Sequence, residues 1–452
     1  MTDFADLEPP EHLRSVIQSA LAEGDFARVR AGLSELHPAE IADLLESLPS
    51  ERRAEVWTLI PSERQGEVLS HAQDAVRASL LEHMDPAQLT AVTEALETDD
   101  AADLLQGLSE TLAERVLRSM HEQNRARIAS VLSYPEDTAG GLMNVDTITV
   151  RSDVHLDAVV RYLRWRADLP DKTDSLMVVD RDNRYQGVLP LTTLLTHGPE
   201  RTVGEVMTQA LEAIPAHLPA SEVAKRFEQH DLLSAPVVDT QGRLVGRITI
   251  DDVVDVIREQ GDHSLMSLAG LDEEDDIFAP ITVTAPRRAL WLGVNVVTAL
   301  LAAWVIGHFE ATIEKIVALA ILMPVVASMG GIAGSQTLTI VIRGLALGQV
   351  GRDNSRSLLR KEIAVGLCNG LIWASVVGLV AANWFKDAGL GAVIAIALIT
   401  NLLAGALAGT LIPLTLKRLG IDPALAGGLF LTTVTDVVGF TAFLGLATLF
   451  LI

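Results

Sequence analysis

Short stretches with apolar residues at helical spacing follow one another up to about residue 135. Examples are HPAEIADLLESLP at 37–49 and DPAQLTAVTEAL at 85–96, and proline-containing turns separate one stretch from the next. Helices this short can bury their apolar faces only against neighbouring helices. The pattern therefore predicts that residues 1–135 form a small α-helical solenoid.

A second pattern, in which valine-rich strands alternate with helices, occurs twice. The copies contain SLMVVDRDNRYQGVLPLTTLL at 175–195 and SAPVVDTQGRLVGRITIDDVVDVI at 234–257. Each copy reads as a strand, a polar turn, a second strand and a helix. Residues 136–200 and 201–258 are thus predicted to be two α/β domains, and they resemble a tandem pair of CBS domains (the cystathionine β-synthase type).

Five long apolar segments occupy the remainder of the chain, and each is long enough to cross a hydrocarbon core of roughly 30 Å as a helix. The segments are 289–309, 316–348, 363–385, 390–416 and 424–452. The sequence predicts an α-helical membrane protein with a five-helix transmembrane domain, 289–452. Residues 259–288 form the predicted connecting helix, which follows the solenoid and the CBS pair.

Charge also distinguishes residues 1–288 from the part of the chain that begins at Ala289. The chain has 49% hydrophobic residues, a mean hydropathy of +0.31 and a formal net charge of −24. From Ala289 onward nine basic residues stand against seven acidic ones, so residues 1–288 carry −26. This negative excess argues against nucleic acid and in favour of cations as partners, although acidity also aids solubility.

Basic residues predict the orientation of the spans. With a cytosolic N-terminus and five spans, the outer loops contain only Lys315 and Lys386. The inner segments contain Arg287, Arg288, Arg352, Arg356, Arg360, Lys361, Lys417 and Arg418. The N-terminal MTDFADLEPP lacks a signal-peptide pattern, and a single cysteine, Cys368, allows no disulfide framework. We expect a multi-pass protein of the inner (plasma) membrane, with cytosolic N-terminal domains and an external C-terminus.

Asp436 lies near the middle of the last apolar segment, in GGLFLTTVTDVVGF. A carboxylate at that depth costs about 2.5 to 3.5 kcal/mol on insertion scales, which indicates that it faces a polar cavity. Thr432 and Thr433 lie on nearby parts of the same helical face. The alternative is a protonated carboxyl, or one satisfied by buried hydroxyls. Because no basic residue lies deep inside a span to pair with it, a cation is the better partner.

The second apolar segment carries a weakly polar stripe. Gly331, Ser335 and Thr339 are spaced i, i+4, i+8, and Pro324 can kink the helix that carries them. The stripe could bond the water around an ion, although such stripes also serve helix packing. GALAG at 405–409 is interpreted as a packing motif.

The motifs GGIAGSQT at 330–337, TTVTDVVG at 432–439 and DDVVDVI at 251–257, with this domain order, resemble the MgtE family of magnesium channels. The resemblance covers essentially the whole chain. It implies a homodimer with its pore between the second and fifth membrane helices of both subunits, where Asp436 holds a hydrated Mg²⁺ ion. Gly331, Ser335, Thr339 and Thr432 would line that site. Ile332 and Ser335 stand where some relatives carry asparagines.

The resemblance also assigns regulatory Mg²⁺ ligands in the acidic part of the chain. Asp99 and Asp103 share one helical face, where like charges four residues apart repel unless an ion bridges them; solvated carboxylates are the alternative. The further candidates are Asp231, Asp252, Asp255 and Glu259. The helix that follows the CBS pair resembles a plug at the inner pore mouth. Bridging of the acids by cytosolic Mg²⁺ would favour a compact, closed state and limit ion entry.

A nucleotide site is also predicted in the second CBS copy. GRITIDD at 246–252 has the glycine, threonine and aspartate spacing with which many CBS domains hold ribose and phosphate. Gly246, Thr249 and Asp252 are therefore candidates for binding ATP or a related adenine nucleotide. In the first copy Pro190 replaces the hydroxyl residue, which makes that copy a poor match.

The sequence thus predicts a gated, Mg²⁺-selective channel for magnesium entry. The alternative is an ion-coupled secondary transporter of Mg²⁺ or of another divalent cation such as Co²⁺ or Mn²⁺. Such a transporter favours inverted repeats and several ionisable residues in the membrane, whereas only Asp436 lies deep in a predicted span. No pairing of a nucleophile with a base is evident, and we expect no enzymatic activity.

Overall fold

The computed structural model describes residues 10–82, 84–167, 169–170, 172–271, 276–351 and 353–452. It divides into two compact units. The first comprises Met1–Gly261 with Glu274–Pro280, and the second comprises Asp262–Glu273 with Ile281–Ile452. Arg352, one of the residues used to predict orientation, lies outside the described residues.

The N-terminal part of the first unit is helical, as predicted. Its described helices are α1 (Pro10–Glu23), α2 (Phe26–Glu35), α3 (Pro38–Glu46), α4 (Ser50–Trp57), α5 (Ser62–His71), α6 (Asp74–Leu81), α7 (Pro86–Ala95), α8 (Thr98–Gln106), α9 (Glu110–Ser119) and α10 (Glu122–Val131). Prolines begin several of them: Pro38 and Pro86 occupy the first turns of α3 and α7. Each of these two helices also has a capping box, formed with Glu40 and Gln88 respectively. Local sequence thus sets where these helices start.

Two three-stranded sheets follow. The first domain contains β1 (Thr149–Arg151), α11 (Leu156–Arg166), β2 (Ser175–Val179), β3 (Tyr185–Pro190) and α12 (Leu191–Thr196). The second contains α13 (Val203–Val206), β4 (Ile214–Pro215), α14 (Ala220–His230), β5 (Ser234–Val238), β6 (Leu244–Thr249) and α15 (Ile250–Leu268). In each sheet the middle strand pairs parallel with the first strand and antiparallel with the third.

The two sheets share an irregularity. The antiparallel register shifts between Val178 and Val179 in the first sheet and between Val237 and Val238 in the second. A register shift at equivalent positions identifies the two domains as structural repeats, as their sequences predicted.

The second unit contains the membrane helices. They are α16 (Ile281–Gly307), the short α17 (Glu310–Lys315), α18 (Ala318–Ala346), α19 (Ser355–Phe385), α20 (Ala388–Arg418) and α21 (Pro423–Phe450). Within the described residues, five of them are long and apolar enough to cross a membrane, which confirms the five predicted spans.

Several helix ends differ from the predicted segments. α16 begins at Ile281, inside the predicted connecting segment, and α15 continues from the second CBS domain without a break as far as Leu268. α19 begins at Ser355 rather than at residue 363. Charged residues such as Arg287 and Arg356 therefore extend the helices beyond their apolar segments, because polar helical turns are stable where a span meets water.

Close glycine contacts hold α20 against α18. A Cβ atom on Gly405 would lie 2.9 Å from the carbonyl oxygen of Gly330, and one on Gly409 would lie 2.7 Å from that of Gly334. The two backbones therefore touch, which is possible only without side chains at these positions. The predicted packing role of GALAG is confirmed.

Candidate functional site

The carboxylate of Asp436 is half-buried in α21. Among the residues that the structure describes, it has neither a hydrogen bond nor an ion pair. The nearby hydroxyls do not satisfy it: Thr432 Oγ1 donates to Gly428 O at 2.9 Å, and Thr433 Oγ1 donates to Leu429 O at 2.9 Å. These hydroxyl protons are committed to the helix backbone, so each oxygen presents only lone pairs to its surroundings.

The other predicted pore-lining residues lie on the surface of the single chain. Ser335, Thr339 and Thr432 are exposed, and a Cβ atom on Gly331 would meet no heavy atom within 4 Å. With Asp436 these residues are called the polar strip. The strip lies on α18 and α21, which pack against each other through buried residues such as Gly334 and Leu431.

Glu362 is a second carboxylate within a membrane helix, but it lies in the charged first turns of α19, whereas Asp436 lies deep in its span. It is 4% exposed on α19 and accepts a hydrogen bond from Thr337 Oγ1 on α18 at 3.2 Å. Its other oxygen lies 3.4 Å from Lys361 Nζ. Glu362 is not predictable as a membrane residue from hydropathy, because it directly precedes the third apolar segment.

A group of five aspartates lies in the first unit, with Asp99, Asp100 and Asp103 on α8 and Asp251 and Asp252 at the start of α15. These five are called the aspartate cluster. Burial, followed by the charge of Asp252, raises the pKa of Asp99 well above its usual range. Burial is also the main cause that raises the pKa of Asp100 to about 6 and those of Asp103 and Asp252 to about 7. Ionising these carboxyls together is therefore unfavourable.

Few basic residues or hydrogen-bond donors offset the negative charge of the aspartate cluster. Arg77 opposes the rise in the pKa of Asp103, and Lys172 pairs with Asp251, whose pKa is lowered although burial opposes it. Asn144 Nδ2 donates to Asp99 at 3.3 Å and to Glu97 at 2.8 Å. In the described part of the chain, no group of three or more His, Cys, Asp or Glu side chains is arranged to hold a metal ion directly.

The predicted regulatory residues are partly brought together. Asp99, Asp103 and Asp252 belong to the cluster, and the charge of Glu259 contributes to the raised pKa of Asp103. Asp255 is exposed overall, but the protein around its carboxyl group shields it partly from water, and this raises its pKa. Asp231 is exposed at the C-cap of α14 in a left-handed conformation, with φ of 51°.

Three residues at the cluster, Asp100, Asp251 and Lys172, are absent from the predicted site residues. The acidic pairs DD at 99–100 and 251–252 were a usable signal for the two aspartates. Nothing in the local sequence marks Lys172, because its acidic neighbour Asp251 is distant along the chain.

The predicted nucleotide residues lie at the junction of β6 and α15. Thr249 Oγ1 donates to Asp252 Oδ2 at 3.0 Å, and the Thr249 backbone N–H donates to the same oxygen at 3.1 Å. A Cβ atom on Gly246 would lie 2.8 Å from Asn144 O. Thr249 and Asp252 therefore stabilise the start of α15, and a nucleotide would have to compete for the Thr249 hydroxyl.

In the second unit, the end of α15 lies beside the start of α21. His263 Nε2 is 3.2 Å from Asp422 Oδ2. Asp422 is the N-cap of α21 and accepts hydrogen bonds from the backbone N–H groups of Ala424 and Leu425. The predicted plug helix thus contacts the first turn of the helix that carries Asp436.

Three family models match separate parts of the chain. A model described as a divalent cation transporter, MgtE, matches residues 323–446. The MgtE intracellular N domain matches residues 36–137, and a CBS domain matches residues 203–259. The matches follow the domain order seen in the structure, while the predicted domain boundaries remain predictions.

Similar proteins extend the match to almost the full chain. The magnesium transporter MgtE of Thermus thermophilus is 33% identical over 448 residues, which cover 98% of this chain and 99% of the relative. The magnesium transporter MgtE of Bacillus subtilis is 28% identical over 95% of this chain and 96% of the relative. A crystal structure of the cytosolic domain of the Mg²⁺ channel MgtE in complex with ATP superposes with a TM-score of 0.50. It is 35% identical and covers 54% of this chain and 99% of that chain. This chain is a multi-pass membrane protein that belongs to the MgtE family of divalent cation transporters.

Proposed function

We propose that the chain is a Mg²⁺-selective channel whose conduction path is lined by the polar strip. The observation that carries this proposal is the exposure of the strip on membrane-spanning helices. Ser335, Thr339 and Thr432 face away from the single-chain bundle, and the Asp436 carboxylate has no partner among the described residues. Lipid cannot solvate a carboxylate or a row of hydroxyls, so water and a cation are the fitting surroundings.

A second copy of the chain completes the path in this proposal. A strip that lies on the surface of one bundle can enclose water only if another bundle covers it. In a homodimer with twofold symmetry the same strip meets its own copy, which brings two Asp436 carboxylates to one axis. The two carboxylates then supply the charge that attracts a divalent ion.

The chemistry of the strip suits a hydrated ion. Mg²⁺ gives up its water reluctantly and keeps an octahedral shell. Hydroxyl oxygens whose protons are committed to backbone carbonyls, such as that of Thr432, accept hydrogen bonds from the ion's water molecules. Recognition through water avoids most of the dehydration cost and allows rapid passage.

The aspartate cluster supplies regulation in this proposal. Its carboxylates repel one another when ionised, so cytosolic Mg²⁺ or its water shell stabilises the arrangement in which α8 lies beside the start of α15. The end of α15 contacts the N-cap of α21 through His263 and Asp422. Binding at the cluster thereby favours one position of α15, and we propose that this position closes the channel. Asp231, Asp255 and Glu259 remain additional proposed ligands.

An adenine nucleotide is proposed as a second ligand of the CBS pair, at Gly246, Thr249 and Asp252. The similarity to a cytosolic domain that was crystallised with ATP supports this. The donor set fits only in part, because Thr249 and Asp252 are bonded to each other. We assign no gating step to the nucleotide. ATP titration of the wild type and of Thr249→Val by calorimetry tests the site, and equal affinities would contradict it.

Ion-coupled transport is the second candidate, and Glu362 is the observation that favours it. A buried carboxylate beside Thr337 on α18 could exchange a proton during transport. A proton-coupled carrier would respond to a pH gradient across the membrane, whereas a channel would respond only to the Mg²⁺ gradient and the voltage. If the protein is a channel, Glu362→Gln should keep a Mg²⁺ flux close to that of the wild type. If it is a proton-coupled carrier that uses Glu362, the same variant should lose its flux.

The decisive experiment measures Mg²⁺ entry into vesicles that contain the full chain. We expect Asp436→Asn to reduce flux at least tenfold, because moving the ion past a neutral strip loses the stabilising charge. Glu314→Gln, which neutralises an exposed carboxylate between the first two spans, is the matched control and should retain flux. Raising Mg²⁺ on the side of the soluble domains should close the wild type. Flux that survives Asp436→Asn would contradict the proposed path.

Orientation is tested separately in intact cells. We propose a plasma-membrane protein with cytosolic N-terminal domains and an external C-terminus, since the basic residues near the ends of the spans collect on one side. A protease-sensitive tag placed after Ile452 should be cut from outside the cell, and a tag before Met1 should be protected. The opposite result would reverse the direction of transport and regulation.

A further inference from the structure

Asn401 is a fully buried amide in the middle of α20. Its exposure is 0%, and its Nδ2 donates to the carbonyl oxygen of Val326 on α18 at 2.8 Å. Its Oδ1 has no hydrogen-bond partner in the part of the chain that the structure describes. Burying a polar amide in the apolar interior of a span costs free energy unless its atoms are hydrogen-bonded.

Two glycines on two different helices enclose this amide. A Cβ atom on Gly439, in α21, would lie 2.5 Å from Asn401 Nδ2 and 3.2 Å from its Oδ1. A Cβ atom on Gly330, in α18, would lie 2.5 Å from Asn401 Cγ and 2.8 Å from its Oδ1. The α-hydrogens of both glycines therefore point at the amide, and weak Cα–H···O contacts are the interactions available to Oδ1.

The contact lies close to the polar strip. Gly439 is three residues after Asp436, within one helical turn, and Gly330 directly precedes Gly331. The amide thus contacts both helices of the strip, α18 and α21, within one helical turn of strip residues. Any change in its size or bonding alters the spacing of those two helices near the carboxylate.

We propose that Asn401 is a positioning residue that sets the location of the Asp436 carboxylate relative to the small polar residues of α18. The hydrogen bond to Val326 fixes the amide on α18, and Gly439 fixes α21 against the amide. This inference rests on the proposed function of the polar strip, because it concerns the geometry of that same path. In this role Asn401 touches neither the ion nor the ion's water.

The first test compares two ions. Asn401→Leu keeps similar bulk but removes the hydrogen bond, and it is examined in vesicles for Mg²⁺ entry and for K⁺ leak. We expect the ratio of Mg²⁺ to K⁺ flux to fall by about tenfold, because a displaced carboxylate discriminates less well. Simple loss of folded protein would lower both fluxes equally and leave the ratio unchanged. Asn383→Leu, on an exposed face of α19, is the matched control, and its ratio should equal that of the wild type.

The second test uses size compensation. Gly439→Ala places a methyl group against the amide and should lower both the Mg²⁺ flux and the unfolding temperature of the purified chain. Asn401→Ala makes room for that methyl group, so the double variant should be closer to the wild type than the sum of the two single effects predicts. Additive effects on both measurements would overturn the contact on which the inference depends.

Asp436→Asn, measured in the same vesicles, separates this inference from the proposed function. If Asp436→Asn abolishes Mg²⁺ flux while Asn401→Leu keeps the wild-type ion ratio, only the positioning role is wrong. If Asp436→Asn leaves flux intact, the proposed path is wrong and the positioning role falls with it. Loss of flux in Asp436→Asn together with a lowered ion ratio in Asn401→Leu supports both.

Discussion

Neutralising one member of the aspartate cluster should stabilise the first unit when no divalent ion is present. Asp103 is the informative position because its pKa is raised to about 7, against an ordinary value of 3.8. Burial is the main cause, and Glu136, Asp100 and Glu259 add repulsion, while Arg77 acts in the opposite direction. At pH 8 the carboxyl is mostly ionised, so the folded unit bears the cost of that charge. Asp103→Asn removes the charge and keeps the shape of the side chain.

The size of the effect follows from the pKa. A difference of about three units, at about 1.36 kcal/mol per unit, sets a ceiling of about 4 kcal/mol at high pH. Because the side chain is only half-buried, solvent screening reduces this, and about 1–2 kcal/mol is a reasonable expectation. For a unit of this size, that corresponds to a rise of about 5 °C in Tm.

The assay is thermal unfolding of the full chain at pH 8, with and without Mg²⁺. Asp103→Asn should unfold at a higher temperature than the wild type without Mg²⁺, and added Mg²⁺ should stabilise it less. Asp182→Asn removes an exposed charge in the turn between β2 and β3 and serves as the control, with no change expected. A lower Tm for Asp103→Asn would mean that its attraction to Arg77 outweighs burial and repulsion, which would refute the reasoning.

Three further predictions concern the same molecule. The raised pKa values of Asp100, Asp103 and Asp252 mean that the folded unit binds more protons than the unfolded chain between about pH 4 and pH 7. Stability should therefore fall as pH rises through that window, and the gain in Tm from Mg²⁺ should grow over the same range. Arg53 is 1% exposed and pairs with Asp276 at 2.9 Å, so Arg53→Met should destabilise the first unit by about 3–5 kcal/mol in denaturant unfolding. Gly409→Ala places a methyl group against the backbone of α18 and should cost about 1–3 kcal/mol, measured as a lower Tm in detergent.

The sequence predicted the membrane helices well because their signal is local. Twenty or more apolar residues can form only one kind of structure in a membrane, and all five spans are confirmed. Their ends were less accurate, since a helix continues for as long as its backbone bonds are satisfied. Glu362 shows the consequence: it lies seven residues inside α19 although it precedes the apolar segment.

The aspartate cluster was only partly predictable. Asp99 and Asp103 could be paired from their spacing on one helix. Their proximity to Asp252 depends on how α8 meets the second CBS domain, and no periodicity encodes that contact. The position of Lys172 depends on the same packing. The buried amide of Asn401 escaped notice for a related reason: in sequence it is one polar residue in an apolar run, and its meaning comes from glycines on two other helices.

Both candidate regions have more carboxylates than bases, and the excess is larger in the aspartate cluster than at Asp436. In both, carboxylates lie where the chain supplies few bases: five aspartates stand near Arg77 and Lys172, while Asp436 has no partner among the described residues. Affinity for a hard divalent ion rises with the number of carboxylates that share it. Conduction requires weak binding with rapid release, which one carboxylate per subunit provides. A sensor must instead bind at the resting cytosolic concentration, and several carboxylates that repel one another gain most when an ion arrives. Under the proposed function, the conduction path at Asp436 and the regulatory aspartate cluster therefore differ in how many carboxylates lack a basic partner.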